Sequence, residues 1–276
     1  MIKKIITLIL VFFILFSCEP EKPKDKPFVT VAPEKPPIPV LEYSLVATFP
    51  HDTMAFTEGL LIHDNKLFES TGSPNEMPEL KSVFGIVNWK TGKLDAKAEL
   101  DKKSYSFGEG MVILNGKIYQ VTYKEQTGFI YDEKSFKKIG QFNYANKEGW
   151  GMTTDGTNII MSDGTNNLTY FEPKEFKLVK TLSVNENGYA TDNLNELEYI
   201  NGFIYANIYT TGYIAKIDPK TGNVVAKINL TPLSYNERNI NPNALEMNGI
   251  AFDSIANKIY VTGKLWPHLY EVNFPH

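Results

Sequence analysis

One cysteine, one arginine and four histidines are present in this chain of 276 residues, and each scarcity closes a class of function. Cys18 has no second cysteine to pair with, so no disulfide scaffold holds the fold. Arg238 is the only arginine, and 28 basic residues face 32 acidic ones for a net charge of −4. A chain without guanidinium forks or a basic surplus is not expected to bind nucleic acid. His51, His63, His268 and His276 show no metal-ligand spacing, and neither a G-x-S-x-G elbow nor a phosphate-cradling glycine loop occurs. The apolar run at residues 5–16 is too short to span a bilayer as a stable helix.

That run follows Lys3 and Lys4 and leads into Leu15-Phe16-Ser17-Cys18. Residues 1–17 therefore read as an export signal, with Cys18 placed as the acylated first residue of a bacterial lipobox. An ordinary cleaved signal that happens to contain a cysteine is the alternative. Residues 18–41 hold seven of the sixteen prolines and no pattern a core could use, which describes an extended spacer of about 3.1 Å per residue. The expected protein is an exported, membrane-anchored lipoprotein, periplasmic or facing outward from the cell surface. Its monomeric head is formed by residues 42–276.

Aromatic residues are abundant, 17 Phe and 15 Tyr, and flat rings favour pleated surfaces. A short β-type unit recurs with centres at Leu67, Ile118, Ile159, Ile204 and Ile259, usually just after a turn such as Asn115-Gly116 or Asn201-Gly202. Two further strands follow three of the units, and one strand precedes every unit. Repeats of about 47 residues with tight turns predict an all-β, five-bladed β-propeller with four antiparallel strands per blade. The last repeat supplies only three strands, so an N-terminal strand at residues 42–49 is expected to close the ring. A β-sandwich is the competing architecture, but it does not explain five equivalent motifs.

In a propeller the first strand of each blade lines the central channel. Counting back from each repeat centre makes Glu58, Glu109, Trp150, Asn195 and Asn248 equivalent, and Gly follows four of the five. Two carboxylates, an indole and two carboxamides at one height around an axis define a desolvated polar pocket, where carboxyl pKa values rise. Each residue alone could be a satisfied channel side chain, and Trp150 alone reads as core. Together they leave carboxylate acid/base chemistry as the expected route. Two alternatives stay open. One is a non-catalytic tethered propeller that binds peptides or glycans. The other is a lactonase-like site with a structural channel cation on Glu58, Glu109, Asn195 and Asn248.

Several strings resemble the glutaminyl-peptide cyclotransferases of the plant and bacterial propeller type. They include Ala55-Phe56-Thr57-Glu58-Gly59-Leu60, Phe107-Gly108-Glu109-Gly110, Gly149-Trp150-Gly151, Leu194-Asn195-Glu196-Leu197 and Val261-Thr262-Gly263-Lys264-Leu265-Trp266-Pro267. The resemblance implies conversion of the N-terminal Gln of peptides or proteins to pyroglutamate with loss of ammonia, with no cofactor or metal required. It implies Glu109 as the acid/base residue and Trp150, Asn195 and Lys264 as pocket residues. Phe56, Glu58, Tyr209 and Asn248 complete the expected substrate-binding set. Glu58 and Tyr209 depart from the family pattern, which usually has Gln and Trp at these positions.

Overall fold

The computed structural model describes residues 36–105 and 107–276. The signal at 1–17, Cys18 and the spacer up to residue 35 lie outside the described residues.

Five antiparallel sheets succeed one another along the chain. Blade one is Thr57–His63, Lys66–Thr71, Val83–Val87 and Leu94–Glu99, and blade two is Gly108–Leu114, Lys117–Thr122, Thr127–Asp132 and Lys138–Asn143. Blade three comprises Met152–Thr154, Ile159–Met161, Asn167–Glu172 and Lys177–Ser183. Blade four comprises Leu194–Ile200, Phe203–Ile208, Tyr213–Ile217 and Val224–Asn229. Blade five takes Met247–Asp253, Lys258–Gly263 and His268–Asn273 from the C-terminal end, and its outer strand is Ser44–Pro50. First strands contact their neighbours in order, and the fifth contacts the first, so the ring is a closed propeller. The N-terminal strand closes it as the repeat count requires.

Local chemistry explains the hairpins. Asp64-Asn65, Asn115-Gly116 and Asn201-Gly202 all have positive φ at both central positions, the conformation that matches the right-handed twist of the flanking strands. The centre of each repeat, Leu67, Ile118, Ile159, Ile204 and Ile259, is at most 1% exposed. These residues belong to five apolar clusters, one at each blade-to-blade junction, where the surplus of aromatic rings is used. Phe171, Phe142 and Phe176, for example, stack between blades two and three. A fully buried side chain of this size stabilises by roughly 1.5–3 kcal/mol, so the junctions hold the ring rigid around its axis.

Two features depart from the expected pattern. Val40–Leu41, read as the end of the spacer, pair in parallel with Val224–Asn229, and Ile38 packs against the cluster between blades three and four. A proline-rich segment can dock this way because an edge strand leaves one side of its backbone unpaired. A helix, Thr231–Ile240, also interrupts the all-β chain between blades four and five. Its buried Glu237 accepts from the backbone N–H of His268 and meets the His268 ring and the Tyr270 hydroxyl, which pins the helix to blade five.

Candidate active site

The first strands are irregular where the site begins. Pairing with the second strand skips between Thr57 and Gly59, Gly108 and Met111, Leu194 and Leu197, and Met247 and Ile250. Glu58, Glu109, Asn195 and Asn248 therefore sit on bulges, which re-aim a side chain from the sheet face toward the axis. The glycines that follow permit close approach. A Cβ on Gly110 would lie 2.4 Å from the Trp150 carbonyl oxygen, and one on Gly151 2.2 Å from that of Asn195. Hydroxyls from second strands lock the bulges: Ser70 Oγ donates to the Glu109 carbonyl at 2.6 Å and Ser162 Oγ to that of Asn195 at 2.7 Å.

At one mouth of the channel this produces a cavity of about 150 Å³ lined by Phe56, Glu58, Phe107, Glu109, Tyr123, Trp150, Asn195, Tyr209 and Lys264. At about 30 Å³ per water, it has room for about five waters or one small polar group and its stem. Its walls are aromatic. Phe56 meets Phe107 edge-on with centroids 5.8 Å apart, Phe107 meets Tyr123 at 5.9 Å, and Trp150 meets Tyr209 at 5.5 Å. The Trp150 indole N–H donates to Glu148 at 2.9 Å, which fixes the ring's orientation.

The polar floor is a buried triad. Lys264 Nζ donates to Glu58 Oε1 at 2.7 Å, and Asn248 Nδ2 donates to Glu58 Oε2 at 3.0 Å. Glu109 is hydrogen-bonded to Glu58. Burial and then the Glu58 charge push Glu109 well above the ordinary carboxyl range, against a smaller opposing pull from Lys264. Burial also raises Glu58, but Lys264 and hydrogen bonds to Lys264 and Glu109 counter it. Burial would lower Lys264; the two carboxylates outweigh it and raise its pKa. Of the two carboxyls, Glu109 is thus the one raised further and the stronger base, while Lys264 and its hydrogen bond favour the charged form of Glu58. Lys264 Nζ also lies 4.5 Å from the Phe56 ring centre and 5.4 Å from that of Tyr209. Asn195 Oδ1 is buried with no hydrogen-bond partner in the protein, so its carboxamide remains open to a ligand.

The sequence profile of the glutamine cyclotransferase family matches residues 17–274. The chain belongs to that family. It is 40% identical over 233 residues to a glutaminyl-peptide cyclotransferase of Arabidopsis thaliana, covering 84% of this chain and 71% of the relative. Its fold is similar to the crystal structure of Myxococcus xanthus glutaminyl cyclase, with a TM-score of 0.77 and 32% identity over 87% of this chain and 98% of that one.

In this glutamine cyclotransferase the cavity brings together seven of the eight residues expected there: Phe56, Glu58, Glu109, Trp150, Asn195, Tyr209 and Lys264. Asn248 is the correction. It is fully buried behind Glu58, donates to Glu58 and to the Thr57 carbonyl, and does not line the cavity, so it positions Glu58 and cannot contact substrate. Of the proposed cation set of Glu58, Glu109, Asn195 and Asn248, the first three line the cavity and Asn248 does not. Glu58 faces two donors, Lys264 Nζ and Asn248 Nδ2, where a metal ligand needs free oxygens. Among the described residues, the one group of three His, Cys, Asp or Glu side chains close enough to share an ion is His63, Asp64 and Glu133, which is outside this cavity.

Sequence reading missed Phe107 and Tyr123, although a signal for both was present. Phe107 stands two residues before Glu109, as Phe56 stands two before Glu58. Counting five residues on from each repeat centre gives Gly72, Tyr123, Gly164, Tyr209 and Lys264, a second ring of equivalent positions. Three of these enter the cavity. The two glycines make room for its walls: a Cβ on Gly72 would lie 2.2 Å from the Phe107 ring, and one on Gly164 2.6 Å from that of Trp150.

Proposed function

We infer that the protein is a glutaminyl-peptide cyclotransferase, an acyltransferase that closes the N-terminal glutamine of a peptide to pyroglutamate and releases ammonia. The observation that carries the mechanism is the buried Glu109 carboxyl, hydrogen-bonded to Glu58 on the floor of an aromatic cavity sized for one side chain.

The reaction joins the α-amine nitrogen to the γ-carboxamide carbon and breaks that carbon's bond to the amide nitrogen. With an α-amino pKa of about 7.7–8.0, on the order of a tenth of the amine is neutral at pH 7, so supplying the nucleophile costs little. The harder task is protonating the nitrogen that leaves. Ionised Glu109 accepts a proton from the attacking nitrogen as the C–N bond of the ring forms. It then delivers a proton to the departing nitrogen, which leaves as ammonia, and Glu109 ends as it began. Such acid/base assistance is worth typically about 10² to 10⁴ in rate, and is most effective when the carboxyl pKa is raised toward that of the amine. Asn195 and Lys264 face the oxyanion that develops on the carboxamide, and Trp150, Tyr209 and Phe56 clamp the glutamine stem.

Ammonia release from glutaminamide and Gln-initiated peptides, measured with and without chelator, tests this reading. Release that survives chelation is expected. No release in either condition overturns the reading and leaves a binding propeller; release abolished by chelator overturns the metal-free route. We propose in addition that Cys18 is acylated and tethers the enzyme to a membrane. This rests on the position of the only cysteine after the apolar run of residues 5–16. Cys18→Ser is expected to move the protein from the membrane fraction to the soluble fraction, and unchanged partition overturns the proposal.

A further inference from the structure

A second hollow, of about 280 Å³, lies between the turn that follows Phe203–Ile208 and the helix Thr231–Ile240. Two of its lining residues directly follow one of the active cavity along the chain. Tyr209 is in the wall of the first, and Thr210 and Thr211 are in the wall of the second. On the other side, Met247 lines the hollow and its neighbour Asn248 holds Glu58. The helix contributes Ser234, Tyr235 and Arg238.

Two of these side chains have capacity for a ligand. Ser234 is 8% exposed, yet its hydroxyl has no hydrogen-bond partner. Arg238, the only arginine in the chain, is exposed and enters none of the ion pairs among the described residues. Its neighbour Glu237 does not neutralise it locally, because that carboxylate is turned inward to His268 and Tyr270. A guanidinium fork beside a buried hydroxyl matches a carboxylate, which accepts two parallel N–H bonds and a third from the hydroxyl.

The cavity around Glu109 has room for little beyond the glutamine residue itself, so the rest of a peptide must leave over its rim. We propose that the hollow is a subsite for the substrate segment just after the N-terminal glutamine, and that Arg238 selects there for a carboxylate, either an acidic side chain or the C-terminus of a short peptide. This rests on the cyclotransferase reading. In a protein of net charge −4, a local cation is what would make an acidic peptide a better substrate than a neutral one.

The test uses C-terminally amidated Gln-initiated peptides in matched pairs, with Glu or Gln at the second, third or fourth position, and compares kcat/KM within each pair at low salt. A separate arm compares short Gln-initiated peptides as free acids and as amides, which distinguishes the two sources of carboxylate. The wild-type ratio is expected to favour the acid about three- to fivefold in one of these comparisons, the range an exposed ion pair supports, and to shrink as salt rises. Arg238→Gln brings that ratio to about one, Arg238→Glu inverts it in favour of Lys-bearing peptides, and Arg238→Lys retains part of it. Because each ratio is taken within one variant, a general loss of activity does not imitate these outcomes. A flat wild-type ratio in every comparison, or a ratio unchanged in Arg238→Gln, overturns the subsite while leaving ammonia release from glutaminamide intact. No release from glutaminamide overturns the subsite and the cyclotransferase reading together.

Discussion

Two groups of carboxyls, all buried except the half-buried Glu198, face the propeller axis, and they behave differently. Glu58 and Glu109, from blades one and two, sit at the cavity with Lys264 beside them. Glu196 and Glu198, from blade four, lie further along the axis. Glu196 occupies the one ring position where the other four blades have glycine, and its two oxygens accept from Leu60 N–H at 3.2 Å and Ile250 N–H at 2.8 Å. Glu198 accepts from Phe252 N–H at 2.8 Å and lines a separate hollow with His63 and Tyr199. Burial raises all four above the ordinary carboxyl range, Glu198 to about 8. A raised pKa therefore does not by itself mark the reacting group. The difference is that Glu196 has both oxygens engaged by backbone donors and ties blades one, four and five together. Glu109 instead faces a cavity, has a charged neighbour on each side of its proton balance, and is close to an open carboxamide.

Substitutions can break or sharpen this contrast. The largest effect is expected from Glu109→Gln, which keeps the shape but cannot carry a proton. Its kcat should fall by about 10² to 10⁴ with an unchanged melting curve, and near-normal turnover would remove Glu109 from its role. Glu196→Ala should act on stability. It strands two buried N–H groups at about 1–3 kcal/mol each, for a loss of about 2–6 kcal/mol by denaturant titration. A loss below about 0.5 kcal/mol would mean that the carboxylate does not staple the blades.

Next in size, the two charges beside Glu109 should move the acidic limb of the rate profile in opposite directions, each by about one pH unit or more. Glu58→Gln removes a charge that raises Glu109 and frees Lys264 to pair with it, so the limb moves to lower pH. Lys264→Met removes a charge that lowers Glu109, so the limb moves to higher pH. Shifts of the same sign would contradict the triad. The last test concerns Glu198 and reads stability against pH instead of rate. Its folded pKa exceeds its unfolded value of about 4.3, so the stability it contributes is complete below that value and is lost as pH rises toward 8. Glu198→Gln should remove about 1.4 kcal/mol per pH unit of that decline, and identical slopes for mutant and wild type would count against it.

Much of this was legible as periodicity. Repeat centres at Leu67, Ile118, Ile159, Ile204 and Ile259 specified the blades, because a buried second strand needs a branched apolar residue at its centre each time. Glycines beside Glu58, Glu109, Trp150 and Asn248 marked where backbones converge. Equivalence along the chain could not say which way an equivalent side chain points. Asn248 shares its ring position with Asn195, yet it turns behind Glu58 while Asn195 opens to the cavity. The helix Thr231–Ile240 was not legible either, since it has no equivalent in the other repeats and is held by Glu237 reaching to residues more than thirty positions away.

The sequence by itself determined the number of blades, the strand that closes the ring and the carboxylates available at the axis, because those follow from local spacing repeated five times; the family was legible separately, in strings such as Phe107-Gly108-Glu109-Gly110. Only the tertiary structure decided that Glu58 belongs with Lys264, that Glu109 is the carboxyl raised further by burial and its charged neighbour, and that Glu196 staples while Glu109 stays open. Those outcomes depend on bulges and on which blades' side chains meet across the axis. Such contacts join residues as far apart as Glu58 and Lys264, and burial sets their strength by excluding the water that would otherwise screen them.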